Sequence, residues 1–447
     1  MAPPSAGPDL EANGEDCSAS AEERFVIRPC VSKHRLYSMA FVEFRNNGEL
    51  WKPEQLQEAL RAIDGADRRS DHRVLAITFI HGWKNNARQV NNNVHDFRLQ
   101  LNNIAAKACM GAENRCGVVG IYLAWSGDLV SRYSNTLRTL TYFNRRDTAE
   151  QVSSERQKVA PVGDALFAIM KRVKSGAGRE TNHSVVVGHS FGGLILEHAI
   201  YSQMQQIGRG LQNAAPSTRP QVLADFADLV VLINQAAPAD RAISLLNQYR
   251  KEGLQNVRLR LDCSPDDTSP VCMNSHPLLL SVSSKTDLAT KTILPIAETI
   301  SPPPADDRLL LAKDDLPSGL DEAKVYHTAA AHTDQLQSHV LRDGPCLTNG
   351  NTDNIPVKIT LPAYAPGNNM HSPKVIEYCL LPVPDKDAYN HTPYWIFQIP
   401  PEVVPDHGTI FTNRFTEFLT AFMPPLKSFN AATPAPPPIK KLYRDGF

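Results

Sequence analysis

Residues 185–194 read V-V-V-G-H-S-F-G-G-L, and the place of Ser190 in that stretch decides how the rest of the chain is read. Gly188, Ser190 and Gly192 satisfy the pattern G-x-S-x-G, with a β-branched apolar run before it and G-L-I-L-E-H-A-I after it. A strand that enters a helix with no intervening loop must turn sharply, which forces the turn residue into a backbone conformation that L-residues rarely adopt. Glycines two before and two after remove the side chains that would collide in such a turn. The serine hydroxyl is then held up from the sheet edge, near the positive end of the new helix. The bare pattern is common by chance; the strand before it and the helix after it give it content. The alternative is an ordinary serine in a βα loop.

Working outward, similar apolar runs recur at 74–83 (V-L-A-I-T-F-I-H-G-W), 118–125, 229–234, 277–284 and 394–399. Continuous runs of this kind, bounded by turn signals, suit strands buried on both faces. A more alternating stretch at 36–48 reads as a strand ending in an Asn-Gly turn. Between the strands, helical spacing predicts helices over 52–64, 92–108, 148–174, 192–208, 240–250 and 409–422. Strands alternating with helices give an α/β fold, a mostly parallel central sheet covered on both faces. The region 295–392 breaks the pattern. It is rich in Pro and Asp, with a helix expected at 321–341 and two strand-like pieces, 355–361 and 374–381, expected to pair as an antiparallel ribbon.

The charges nearly cancel, 46 Lys and Arg against 47 Asp and Glu, and no block of one sign exists, so a nucleic-acid partner is not expected. No run of 18 apolar residues occurs, which excludes a transmembrane helix on sequence grounds. Residues 1–30 form a leader rich in Pro, Gly, Ala and acidic residues. Its start has neither the basic end nor the apolar core of a signal peptide. Cysteines at 17, 30, 109, 116, 263, 272, 346 and 379 fall into four neighbouring pairs without C-x-x-C spacing. Two readings stay open: free thiols in a cytoplasmic chain, or disulfides in an extracytoplasmic one.

The stretches V-L-A-I-T-F-I-H-G-W and V-V-V-G-H-S-F-G-G, with this strand order, resemble the α/β-hydrolase superfamily on its lipase and esterase side. The segment His81 to Ala87 resembles the H-G-W-K-x-N-A stretch of a group of bacterial hydrolases. The likeness covers roughly 72–295 and 393–424, and it implies a division into a core at 31–295, an insertion at 296–392 that is a candidate cap, the end of the core at 393–424 and a proline-rich tail at 425–447. It also implies an oxyanion hole from the backbone N–H groups of Phe191 and Trp83, with Gly82 shaping the loop.

Such a fold carries its triad in the order Ser, acid, His. Asp287, in the loop after 277–284, is the expected acid; Asp240, one strand earlier, is the rival, with helix capping as its other role. His407, after the last core strand and before the closing helix, is the expected base. His189 and His198 read as packing residues, and His81 as a brace of the oxyanion loop at the wall of the pocket. His327, His332 and His339 are spaced poorly for a metal pair and read as solvated or lid residues. Trp125, Tyr142 and Phe143 are further candidate pocket residues, with Trp83 and Tyr133 beside them. No metal or organic cofactor is required. The expected activity is hydrolysis of carboxylic esters, small or lipid, with peripheral membrane contact allowed. The alternatives are thioesterase or acyltransferase chemistry on the same fold, or a non-catalytic binding protein. Esterase and lipase are not separated by the sequence, nor is an oligomeric state assigned.

Overall fold

The computed structural model describes residues 37–70, 73–87, 91–109, 116–127, 142–153, 161–175, 181–215, 222–252, 254, 277–300, 308–346, 355–361, 374–383 and 392–423. The leader, the tail, Tyr133 and the cysteines at 17, 30, 263 and 272 lie outside these residues.

Each apolar run forms a strand of one sheet: β1 (Tyr37–Glu43), β2 (Val74–Ile80), β3 (Gly117–Ala124), β4 (His183–His189), β5 (Leu229–Ile233), β6 (Leu279–Ser284) and, later in the chain, Tyr394–Ile399. The order across the sheet is β1-β3-β2-β4-β5-β6 and then Tyr394–Ile399, every neighbouring pair parallel. Alternation of side chains explains why the runs are apolar throughout. In β2, Val74, Ala76 and Ile80 enter one core layer, while Leu75, Ile77 and Phe79 enter the other. In β4, Val186 faces the first layer and Val185 and Val187 the second.

The first layer is closed by α1 (Pro53–Arg69), α3 (Tyr142–Ser153), α4 (Pro161–Val173), α5 (Phe191–Asn213) and α6 (Asp240–Lys251). The second is closed by α2 (Asn92–Ala108) and by the last helix, Asn413–Phe422, whose Phe415, Phe418, Leu419 and Phe422 are buried. The helix expected over 148–174 is two helices, α3 and α4. The closing helix begins at Asn413 rather than at 409, because Thr412 caps it by accepting the Phe415 N–H at 3.0 Å. Among the described residues no helix is long and apolar enough to cross a membrane.

The helix expected at 321–341 does not form. The segment makes one helical turn at Glu322–Val325, two 3-10 turns at Ala330–His332 and Asp334–Leu336, and then strand β7 (His339–Asp343). Ala329, Ala330 and Ala331 are fully buried, so packing overrides their helix propensity. The expected ribbon does form: β8 (Ile355–Leu361) pairs antiparallel with β9 (Lys374–Pro382), and β7 adds a third strand. Tyr394–Ile399 is therefore β10. The small sheet abuts it through Ser338, whose N–H donates to the Ile396 carbonyl at 2.8 Å and whose hydroxyl accepts the Ile396 N–H at 2.9 Å. Described residues of the 295–392 region pack into both layers, with Val325, Ala330 and Leu336 in one and Leu341, Val357 and Leu380 in the other.

Four of the eight cysteines are described, and they are bonded as Cys109–Cys116 and Cys346–Cys379. The first closes the link between α2 and β3; the second ties the end of β7 to β9. For these four the free-thiol reading does not hold.

Candidate active site

Ser190 sits between the last residue of β4 and the first of α5, with φ 56° and ψ −123°. The turn is held by its backbone: the Ser190 N–H donates to Ile233 O at 3.2 Å, and its carbonyl accepts from Gly193, Leu194 and Ala236. Its glycines are sterically required. A Cβ on Gly188 would stand 2.6 Å from Gly192 O, and one on Gly192 would stand 2.2 Å from Ile80 O. Gly82 backs directly on the serine, since its Cβ would lie 2.7 Å from Ser190 Cβ. The loop carrying Trp83 therefore runs against the elbow, anchored by Lys84 N–H to Gly127 O at 2.9 Å.

His407 lies in the loop between β10 and the helix α8 (Asn413–Phe422; the short helix Leu294–Ile300 is α7). Its Nε2 is 2.8 Å from Ser190 Oγ, and its Nδ1 is 3.0 Å from both carboxylate oxygens of Asp287. The acceptor-only carboxylate fixes the tautomer: Nδ1–H donates to Asp287, leaving Nε2 to accept the serine proton. Asp287 is fully buried and follows β6 by three residues. Its Oδ1 accepts the N–H groups of Ala289 (2.9 Å) and Thr290 (3.2 Å), and its Oδ2 accepts the Thr290 hydroxyl. Burial alone would raise the Asp287 pKa, but the hydrogen bond and charge of His407, with the bonds from Thr290, outweigh it and hold the carboxyl below its usual value.

The His407 loop is clamped from three strand ends. Ser284 Oγ donates to Val404 O at 2.6 Å and Thr286 Oγ1 to Pro405 O at 2.7 Å. His189 donates through Nε2 to His407 O at 2.7 Å, and Asn234 Nδ2 reaches Asp406 O and His407 O, each at 3.2 Å. His189 is buried as a packing residue would be, with burial pushing its pKa down to about 3, and in its neutral form it also holds the His407 backbone. Asn234 carries no local sequence signal for this role. It closes β5 at φ 47°, and its Oδ1 accepts the Ser284 N–H at 2.8 Å. Asn234→Gly relieves the positive φ yet removes these bonds, while Asn234→Ala does the second and adds backbone strain of about 1 kcal/mol. Both variants are expected to lose about tenfold in turnover, and Ala alone to lose the extra stability, read by paired kinetics and thermal melts. Equal turnover in Asn234→Gly and wild type would contradict the clamp.

The other expected residues are placed as follows. His81 is fully buried: its Nδ1–H donates to Gly82 O at 2.9 Å and its Nε2 accepts the Trp125 N–H at 3.2 Å. Burial lowers its pKa to about 4, so it braces the loop as a neutral ring. Trp125 is also buried, stacked on His81 and edge-on to Phe191, and so lies beneath the loop that carries Trp83. Trp83 is half-buried, with Lys84 Nζ 4.2 Å from its ring centre. Tyr142 and Phe143 open α3. His198 Nδ1 is 3.3 Å from Ser153 Oγ, away from the elbow. Of the three histidines expected to be solvated or in a lid, His339 is buried, with its ring 4.1 Å from that of Trp395, while His327 and His332 are half-buried and His332 reaches Thr290.

Asp240 is not brought to His407. It is the first residue of α6, buried, and its Oδ2 accepts the Leu309 N–H at 2.9 Å. Near it Glu197 is buried, 3.5 Å from Gln235 Nε2, and burial, partly opposed by the Arg241 charge, pushes its carboxyl up to about 8. The folded chain keeps this proton between the ordinary 4.5 and 8, whereas the unfolded chain releases it near 4.5. Stability therefore falls as pH rises through that window, on the order of 1 kcal/mol per pH unit. Glu197→Gln is expected to gain on wild type in thermal unfolding at pH 8 relative to pH 5.5. A constant difference at both pH values would contradict it.

No family model, no curated protein and no solved structure matches the chain.

Proposed function

We propose that the protein is a serine hydrolase of the α/β-hydrolase fold that cleaves carboxylic esters through an acyl-enzyme on Ser190. The observation that carries this reading is the unbroken file from Ser190 Oγ through His407 to a buried Asp287, with the serine on a strained strand-to-helix turn. The chain order Ser, Asp, His and the positions after β4, β6 and β10 agree with it.

In the proposed reaction Ser190 Oγ bonds to the ester carbonyl carbon as its proton passes to His407 Nε2. Asp287 holds the imidazole tautomer and stabilises the imidazolium that results. The carbonyl oxygen, now negative, is taken by the backbone N–H groups of Phe191 and Trp83, each worth roughly 3–4 kcal/mol in the transition state. The intermediate collapses as the alkoxide leaves with the proton from His407 Nε2. Water then attacks the acyl-enzyme, giving its proton to the same nitrogen, and the acid is released with Ser190 restored.

Leu288, Ile293 and Ile296 are exposed on the segment that follows Asp287. An apolar surface beside the site favours an ester with a hydrophobic acyl or lipid portion, and we propose that class of substrate, with the insertion 296–392 as a wall of the site. The disulfides Cys109–Cys116 and Cys346–Cys379 favour an oxidising, extracytoplasmic compartment. Hydrolysis of nitrophenyl esters of increasing acyl length tests the proposal. Turnover that rises with chain length and vanishes in His407→Ala supports it, and turnover equal in wild type and His407→Ala would contradict it.

A further inference from the structure

His332 belongs to the insertion, 42 residues beyond Thr290, yet its Nε2 lies 3.0 Å from Thr290 Oγ1. Thr290 has one hydroxyl proton, and Asp287 Oδ2, on which it is aimed, can only accept. The proton is therefore committed to the carboxylate, and the contact with His332 must be one in which Thr290 Oγ1 accepts. That requires a proton on His332 Nε2. The other nitrogen, Nδ1, is then an acceptor, and Gln398 Nε2 faces it at 3.5 Å while also donating to Ala331 O at 3.3 Å. The protons along Gln398, His332 and Thr290 all point one way and end on Asp287, the carboxylate that accepts His407 Nδ1–H from the other side.

We propose that His332 is a positioning residue of the site, donating from Nε2 to Thr290 Oγ1 so that the threonine hydroxyl stays fixed on Asp287 and the carboxylate stays fixed on His407. The inference rests on the serine-hydrolase reading above and deepens it, since it makes the insertion a structural member of the triad. The neutral ring is the form this arrangement suits: a second proton on Nδ1 would meet the Gln398 amide hydrogens. Burial lowers the His332 pKa in the same direction, and so do the charges of Lys291 and His407, against Asp287 and Asp334. Ala330 and Ala331, fully buried, hold the turn that carries the ring. A proton gained by His332 in acid would place a cation one hydroxyl away from Asp287. That cation would compete with the imidazolium of His407 for the carboxylate and slow proton transfer from Ser190.

The test compares His332→Phe, His332→Gln, Thr290→Val and the double variant His332→Phe/Thr290→Val in the full chain. Three readouts are used: nitrophenyl ester kinetics, the pH dependence of Ser190 phosphonylation by a fluorophosphonate, and the proton NMR signal of His407 Nδ1–H. His332→Phe and Thr290→Val are each expected to lower kcat about tenfold with KM unchanged, the effect of one hydrogen bond to a charged group. Both should move the His407 resonance the same way and shift the acid limb of the phosphonylation profile. Glutamine, whose amide can supply the Nε2 donor, should restore kcat to within about threefold of wild type and restore the resonance. The double variant should lose no more than either single one, as members of one file do. Wild-type kcat and an unmoved resonance in His332→Phe, or losses that multiply in the double variant, would overturn the proposal. If His332→Phe does not fold, His332→Leu takes its place, alone and in the double variant with Thr290→Val, under the same criteria. Failure of the wild type to label would count against the serine-hydrolase reading, while the NMR comparison would still judge the file.

Discussion

Ser190→Ala is expected to lower ester hydrolysis roughly a millionfold, the loss seen when a triad nucleophile is removed from a site whose other parts remain. The size follows from the geometry. His407 Nε2 faces this hydroxyl at 2.8 Å, and alanine leaves it water to activate from a less favourable position. The substitution deletes one oxygen from a side chain that is 4% exposed, so folding should be preserved. The strain at φ 56° stays, because alanine tolerates that conformation no better than serine. Thermal melts that coincide while turnover collapses would separate the chemical role from a structural one. Residual turnover within tenfold of wild type would contradict the role assigned to Ser190.

Asp287→Asn is expected to cost roughly ten-thousandfold in kcat with little change in KM. The amide can present its oxygen or its NH2 to His407 Nδ1, but not a second full acceptor. One of the paired 3.0 Å contacts becomes a donor facing a donor. The imidazole is then drawn to the tautomer with the proton on Nε2, where it can no longer receive one from Ser190. The stability of the same variant should also lose part of its pH dependence. The folded Asp287 pKa is lowered, so its contribution is present above the ordinary value of 3.8 and is lost as pH falls through the folded value. Acid melts of wild type and Asp287→Asn should therefore converge below that window. Parallel acid curves would contradict the linkage.

Much of the sheet was legible because burial on two faces leaves an unambiguous mark, an apolar run such as 185–187 that feeds both layers. Ser190 was legible for a local reason as well: the glycines at 188 and 192 are where a Cβ would strike backbone. Asp287 and His407 are 97 and 217 residues from Ser190 and carry no pattern of their own; they came from chain order. What could not be read depends on contacts distant in sequence. Asn234 looks like any residue ending a strand until the 400–412 loop is folded over it. His332 lies in an alanine-rich segment with helical propensity, and only packing of Ala329 to Ala331 into the core breaks that helix and turns the ring toward Thr290. Asp240 and Asp287 are both acids following strands of the sheet; the fold separates them by giving one the Leu309 N–H and the other His407.

The central claim is that Ser190 is a nucleophile activated by His407, and it is tested most directly by incubating the protein with a fluorophosphonate and locating the adduct by peptide mass spectrometry. One adduct per chain is predicted, on Ser190, formed by wild type and absent from Ser190→Ala, with His407→Ala labelling at least a hundredfold more slowly. No adduct on Ser190, or labelling of His407→Ala at the wild-type rate, would contradict it.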